Sequence, residues 1–242
     1  MIKPALNCDL GEGTNNEAQI MPLIHSCSVA CGGHAGDHRS MENAILLAME
    51  NEVSLGAHPS YPDRKNFGRA PMEIEDEQLI LSIQEQLRIF DILLQKHKVP
   101  LHHIKTHGAL YNETVKNAER AIVYLKAIDS YKDRCYLYVP YNSVIATLAK
   151  KLGFKIKYEA FGDRSYMEDL SLVPRELPGA VIEDKQKVFE QIHSISTRDS
   201  VRIRKDHNVT IKADTFCIHS DTANAVVILR YLNEQFKTSD FG

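Results

Sequence analysis

Seven short apolar runs, most of them separated by helical patterns, restrict the fold of this chain more than any other feature. We place the strands at about residues 4–9, 26–31, 53–57, 101–106, 136–139, 155–160 and 214–219. Strands that alternate with helices are typical of right-handed βαβ units and a parallel sheet. Seven repeats in 242 residues favour a closed or nearly closed (β/α) barrel of the TIM type, as a single domain over residues 1–242.

The segments between the strands predict helices and two long loops. Apolar residues at helical spacing indicate helices at about 16–24, 41–49, 75–97, 117–130, 142–151, 184–195 and 222–236, the second of them capped by Asp37 or Ser40. Residues 59–71 and 161–178 are longer than ordinary connections, and such loops are often functional. Residues 201–204 and 209–212 flank a predicted hairpin.

Composition excludes several classes of protein. The formal net charge of -3 does not provide the basic face that nucleic-acid binding usually needs. No apolar run approaches the ~18 residues of a membrane span, and residues 1–20 lack a signal-peptide pattern. The five cysteines are odd in number, so we expect reduced thiols, packed as small core residues in a cytoplasmic protein.

Each apolar run is followed closely by polar, chemically capable side chains. In chain order these are Asp9, His34, His58, Lys105 with His107, Tyr141 with Asn142, Glu159 with Asp163, and His219 with Asp221. A parallel barrel brings the carboxyl ends of all its strands to one face, where α/β proteins build their sites. Residues that are more than two hundred positions apart are therefore expected to converge, which favours an enzyme.

Some of these residues admit more than one interpretation. Asp37 either caps a helix or joins the site, and Arg69 either grips a carboxylate or phosphate or forms a surface salt bridge. Asp9, His34 and His58 have the donor types of a zinc-like divalent metal site. No HExxH or CxxC motif supports that site, and Gly11-Glu12-Gly13 is not a nucleotide-binding fingerprint.

Read together, several segments resemble the LamB/YcsF family. They span most of the chain in one order: Leu6–Gly13, Ala30–Asp37, Gly56–Asp63, Lys105–Asn112, Glu159–Arg164, Leu172–Arg175 and Cys217–Asp221. The resemblance implies a barrel related to the carbohydrate-deacetylase folds. It also implies the A subunit of a 5-oxoprolinase, which hydrolyses 5-oxo-L-proline to L-glutamate with ATP as co-substrate and works with subunits B and C.

On that resemblance, two sets of site residues are expected. The catalytic set is Asp9, Lys105, His107, His219 and Asp221, with Asp9 as general base, His107 or His219 as proton donor and Lys105 stabilising negative charge. The substrate-binding set is Glu12, His34, His58, Arg69, Glu159, Asp163 and Arg164. Two alternatives stay open: a metal-dependent amide hydrolase or carbohydrate deacetylase that acts alone, and a non-catalytic interaction subunit.

Overall fold

The computed structural model describes residues 4–238, and a closed barrel of seven parallel strands forms their centre. The nine strands are β1 (Leu6–Leu10), β2 (Ser26–Ala30), β3 (Ser54–His58), β4 (His103–Ile104), β5 (Tyr136–Pro140), β6 (Ile156–Phe161), β7 (Ser200–Arg202), β8 (Asn208–Thr210) and β9 (Thr215–Cys217). The barrel order is β1-β2-β3-β4-β5-β6-β9, and β7 and β8 form a separate antiparallel hairpin. The predicted seven-stranded barrel and the hairpin are confirmed.

Eight α-helices surround the barrel within the described residues. They are α1 (Glu17–Ile20), α2 (His38–Glu50), α3 (Asp76–His97), α4 (Gly108–Lys116), α5 (Ala118–Ala127), α6 (Val144–Lys151), α7 (Lys185–Arg198) and α8 (Ala225–Thr238). Asp37 caps α2 in a capping box with Ser40, so of the two predictions for this aspartate the helix cap is the one the structure shows. None of these helices combines the length and apolarity that a bilayer span requires.

Two predicted helices differ from the structure for local reasons. The helix expected at 16–24 is shortened to α1, because Pro22 directs the chain into a 3-10 turn at Met21–Leu23. The helix expected at 117–130 is preceded by a second helix, α4, which the apolar pattern did not indicate. Asn117 separates the two, since its side chain accepts a hydrogen bond from the Arg120 amide and caps α5.

The barrel strands divide their side chains between two buried environments. On β1, Leu6, Cys8 and Leu10 alternate with Asn7 and Asp9, and all five are buried. Asn7 donates to Thr215 and Asp9 accepts from Lys105, so the polar set faces across the lumen. The apolar set packs in the core shared with the surrounding helices. All five cysteines are buried and free, as expected.

Candidate active site

A cavity of about 1150 Å³ opens at the carboxyl ends of the barrel strands. Nine of the residues predicted for the site line it: Asp9, Glu12, His58, Arg69, Lys105, His107, Glu159, Arg164 and His219. The described part of the wall does not include His34, Asp163 or Asp221. His34 and Asp163 are buried against Glu12 and His219, and Asp221 lies at the exposed rim against Arg69. The expected convergence of distant strand ends therefore occurs.

Lys105 lies at the centre of the cavity floor, fully buried between two carboxyl groups. The residue directly follows β4, and its backbone amide donates to the carbonyl oxygen of Ala57 in β3, which holds it at the strand end. Its Nζ donates to Asp9 Oδ1 at 2.9 Å and Oδ2 at 3.1 Å. The same Nζ forms a buried ion pair with Glu159 Oε1 at 3.0 Å, so one ammonium is shared between two carboxyl groups.

The two carboxyl groups beside Lys105 differ in acidity. Burial opposes the charge of Asp9, but the positive charges of His58 and Lys105 outweigh it and hold its pKa below the usual range. Burial also lowers the pKa of His58 to about 4, so the charge that acts on Asp9 at neutral pH is that of Lys105. For Glu159 burial dominates and raises the pKa, with Lys105 opposing it. Asp9 is therefore a bound carboxylate, and Glu159 is the more basic group.

Three buried histidines and Glu12 form a second group, at one side of the cavity. The inward nitrogens of His58 (Nε2) and His107 (Nδ1) are 3.0 Å apart. Glu12 Oε1 is 3.0 Å from His34 Nε2 and 3.4 Å from His107 Nδ1. Burial lowers the pKa of His107 well below its ordinary value, as it does for His58. One donor atom from each of the four side chains lies within 4.8 Å of the others, so the group has the composition to hold a metal ion.

The metal-ligand set expected from the sequence, Asp9 with His34 and His58, is not the set that the structure brings together. Its two histidines lie with Glu12 and His107, whereas Asp9 shares a separate group with Cys217 and His219. Asp9 Oδ2 is 3.4 Å from His58 Nε2, but its main partner is Lys105. The Lys105 ammonium already supplies the positive charge that the group of Asp9, Cys217 and His219 would need.

His219 forms a dyad with Asp163 behind the wall. Its Nδ1 is 3.0 Å from Asp163 Oδ1, and Asp163 also accepts hydrogen bonds from the His219 amide and the Thr222 hydroxyl. A carboxylate accepts only, so Nδ1 carries a proton; Nε2 can then take a proton when the ring is neutral and give one when the ring is the imidazolium. The ring is held flat against Phe161, with 5.2 Å between centroids.

The arginines predicted to hold a substrate carboxylate occupy two different settings. Arg69 donates to Asp221 at 2.6 Å, and Arg175 approaches the same carboxylate at 3.2 Å. Asp221 thus aligns two arginines at the rim. Its single negative charge neutralises only one of them, so the pair leaves one net positive charge there. Arg164 instead donates to the carbonyls of Ala180 and Val173, and fixes the loop between β6 and α7. Asp221 therefore orients the two rim arginines, and Arg164 holds the loop between β6 and α7 in place.

Two polar residues of the wall, Tyr111 and Arg175, are notable because the sequence analysis did not name them as site residues. Tyr111 is buried, and its hydroxyl has no hydrogen-bond partner in the described structure. It was missed because it lies on α4, the helix that the apolar pattern did not indicate. Arg175 was missed because the sequence does not show that residues 162–184 fold back over the cavity. Both belong to segments that resemble the LamB/YcsF family, which was the signal available.

Comparison with known proteins agrees with these segments. The LamB/YcsF family matches residues 5–241. Proteins named as the A subunit of 5-oxoprolinase are similar: that of Histophilus somni strain 129Pt is 37% identical (96% of this chain, 94% of that protein), and that of Pyrococcus horikoshii is 38% identical (95% and 92%). The crystal structure of a lactam utilization protein from Thermus thermophilus matches with a TM-score of 0.90 at 31% identity, over 99% of this chain and 98% of that one. The chain therefore belongs to the LamB/YcsF family.

Proposed function

We propose that this chain is the A subunit of a 5-oxoprolinase, a hydrolase that opens the lactam of 5-oxo-L-proline to give L-glutamate. The observation that carries the proposal is the buried group of Asp9, Lys105 and Glu159 in the cavity floor. It offers one cation for developing negative charge and one carboxyl group, Glu159, whose raised pKa suits it to accept a proton. The names of the similar proteins supply the substrate.

ATP enters the proposal because hydrolysis of the five-membered lactam is uphill. Transfer of the terminal phosphoryl group of ATP to the lactam oxygen, with release of ADP, gives a phosphorylated ring that water can attack at the former carbonyl carbon. The C–N bond then breaks, the nitrogen takes a proton, and glutamyl phosphate forms. A second water hydrolyses this acyl phosphate to glutamate and phosphate.

The residues of this chain take roles in the ring-opening step. Glu159 removes a proton from the attacking water, because its pKa is raised, whereas Lys105 holds Asp9 as a weak base. His219 delivers the proton to the ring nitrogen through Nε2, with Asp163 fixing the tautomer. Lys105 stabilises the negative charge of the phosphoryl group on the former lactam oxygen, and Arg69 and Arg175 attract the carboxylate or phosphate of the activated substrate.

The partners are proposed on the same grounds. The word "subunit" in the names of the similar proteins indicates a complex. The sequence contains no Gly-x-x-x-x-Gly-Lys-Ser/Thr phosphate loop, so we assign phosphoryl transfer to subunits B and C and ring opening to this chain. Five free cysteines and the need for ATP fit the cytoplasm.

The test is glutamate release from 5-oxo-L-proline and ATP, measured with this chain alone and with its B and C subunits. We expect glutamate only from the complete mixture. Glu159→Gln should lower the rate roughly 10²- to 10⁴-fold, the usual contribution of a general base, without loss of folding. Glu85→Gln, at an exposed residue of α3, is the matched control and should leave the rate unchanged. No glutamate from the folded, complete mixture would contradict the proposal.

A metal-dependent amide hydrolase that acts alone is the second candidate, and the group of Glu12, His58 and His107 favours it. The two proposals differ in their need for ATP and partners. Hydrolysis of simple amides or acetylated sugars by this chain alone, lost after chelation, would establish the second and reject the first.

A further inference from the structure

The hydrogen bonds of His58 and His107 leave two nitrogens facing each other in an unfavourable way. His58 Nδ1 is 2.9 Å from the carbonyl oxygen of Lys105, and His107 Nε2 is 2.9 Å from that of Phe67. A carbonyl oxygen can only accept, so each of these outward nitrogens carries a proton. In the neutral rings both inward nitrogens then present lone pairs, and they are only 3.0 Å apart. A cation between them would remove this repulsion.

The same outward hydrogen bonds are the usual support of metal-binding histidines. Such a histidine donates its second N–H to a carbonyl or carboxylate, which fixes the tautomer and aims the other nitrogen at the metal. Here two backbone carbonyls, from the end of β4 and from the 59–75 loop, hold the two rings. The rings are nearly perpendicular, at 86°, so their lone pairs can converge on one point.

The distances around that point fit a tetrahedral ion. Zinc binds nitrogen and oxygen at about 2.0–2.1 Å, so neighbouring donors of a tetrahedral site lie roughly 3.3 Å apart. The separations in the structure are 3.0 Å for His58 to His107, 3.4 Å for His107 to Glu12 and 3.9 Å for His58 to Glu12. Small side-chain rotations would make them equal.

His34 does not complete the set as a fourth ligand. Its ring is parallel to that of His107, with 3.6 Å between centroids and 3° between planes, so the two in-plane lone pairs do not meet at one ion. His34 also lies outside the described cavity wall. Its Nε2 lies 3.0 Å from Glu12 Oε1 and is placed to donate to it, which orients the carboxylate.

We propose that Glu12, His58 and His107 bind one divalent cation of the zinc type, with its fourth position open to the cavity. All three residues line the cavity, and two imidazoles with one carboxylate are a donor set that suits zinc rather than magnesium or calcium. Of the metal ligands expected from the sequence, only His58 is retained. The site goes beyond the proposed function, because an ion there could polarise water or a carbonyl in either candidate reaction.

The test measures metal binding by this chain in the absence of substrate, ATP and other subunits, so its outcome is independent of the 5-oxoprolinase proposal. Protein freed of metal by a chelator is titrated with Zn²⁺ by calorimetry. Co²⁺ is added separately, because its visible absorption reports tetrahedral coordination. We expect one Zn²⁺ per chain and a tetrahedral Co²⁺ spectrum.

Variants separate the ligands from their supports. Glu12→Gln and His107→Asn should abolish stoichiometric binding, and Glu12→Gln is nearly isosteric, so folding is retained. His34→Leu should keep the site but weaken it roughly 10- to 100-fold, the usual effect of losing a residue that orients a ligand. His38→Ala, in an exposed histidine–glutamate pair on α2, is the control and should bind as wild type does.

Two results would overturn the proposal. The first is the absence of stoichiometric binding to folded wild-type protein, which would mean that a shared proton, not a metal ion, lies between His58 and His107. The second is binding that survives in both Glu12→Gln and His107→Asn, which would place the ion elsewhere.

Discussion

The barrel contains two sets of buried histidines, and they differ in the partners that their nitrogens meet. His103, at the start of β4, is fully buried; its Nε2 is 3.1 Å from the Ser28 hydroxyl and its ring is stacked on Tyr138. His58 and His107 are also buried, and burial lowers the pKa of all three. A hydroxyl can donate or accept, and Nδ1 of His103 lies 3.1 Å from Nδ1 of His102, which can also do either, so the tautomer of His103 is not fixed by an acceptor-only partner.

The contrast shows that neither burial nor a lowered pKa by itself marks a functional histidine. His58 and His107 meet carbonyls, which fix one tautomer and leave lone pairs facing each other beside an open cavity. Asp163 fixes His219 in the same way. We therefore distinguish the interior histidine, held by an adaptable partner, from the mouth histidines (His58, His107 and His219), held by partners that only accept.

The largest expected effect on activity comes from replacing Asp163, which can only accept hydrogen bonds from His219. Asp163→Asn presents a group that can also donate, so His219 is no longer held with its proton on Nδ1. We expect the rate of glutamate release by the complete mixture to fall roughly 10²- to 10⁴-fold. Asp129→Asn, at an exposed residue, is the control. An unchanged rate would remove His219 from the mechanism.

The same variant should change the acid stability of the protein. Burial opposes the charge of Asp163, but the charge of His219 and hydrogen bonds from His219 and Thr222 hold its pKa below the ordinary value. A carboxylate with a lowered folded-state pKa stabilises the fold above its unfolded pKa of about 3.9, and this is lost as the pH falls through the folded-state value. Urea denaturation below about pH 4 should therefore show a shallower loss of stability in Asp163→Asn than in wild type.

The next effect tests the structural role of the interior histidine. A Cβ at Gly56 would lie 2.2 Å from Cε1 and Nε2 of His103, so Gly56→Ala must displace that ring. Overpacking of this kind costs about 1–3 kcal/mol of unfolding free energy, measurable by urea denaturation. In a His103→Ala background the clash is absent, and the same change should cost less; equal costs in both backgrounds would show that the ring is not the obstacle.

A smaller loss is expected from the partner of His103. Ser28→Ala removes the hydroxyl near Nε2, which should lower the unfolding free energy by about 1 kcal/mol. Activity should stay close to that of wild type, because His103 is not in the described cavity wall. A large loss of activity in a stable Ser28→Ala protein would erase the distinction between the interior and mouth histidines.

The smallest effect on stability is expected at the rim. The pair of Arg175 with Asp221 is partly exposed, and such pairs contribute only about 0–1 kcal/mol. Arg175→Gln should leave the unfolding free energy nearly unchanged but raise KM for 5-oxo-L-proline, since the arginine faces the cavity. An unchanged KM would show that the rim arginines do not attract the substrate.

Much of the barrel could be predicted, because apolar residues recur at strand or helix spacing within each strand and most helices. The segments that were missed or misjudged depend on contacts between distant parts of the chain. Gly108, at φ +60°, begins α4 against the Gly68 carbonyl, a contact that no local pattern reveals. Arg164 was expected to bind substrate, and its two carbonyl partners appear only when residues 162–181 fold together.

The sequence by itself determined the seven strands, the polar residue types at their ends, and hence a mouth rich in histidines and carboxylates. The tertiary structure alone decided which of these groups are satisfied. Lys105 donates to Asp9 and forms an ion pair with Glu159, and two backbone carbonyls turn His58 and His107 towards each other. The physical reason is that charge neutralisation and tautomer choice depend on distances of about 3 Å between residues far apart in the chain, and only the closed barrel fixes those distances.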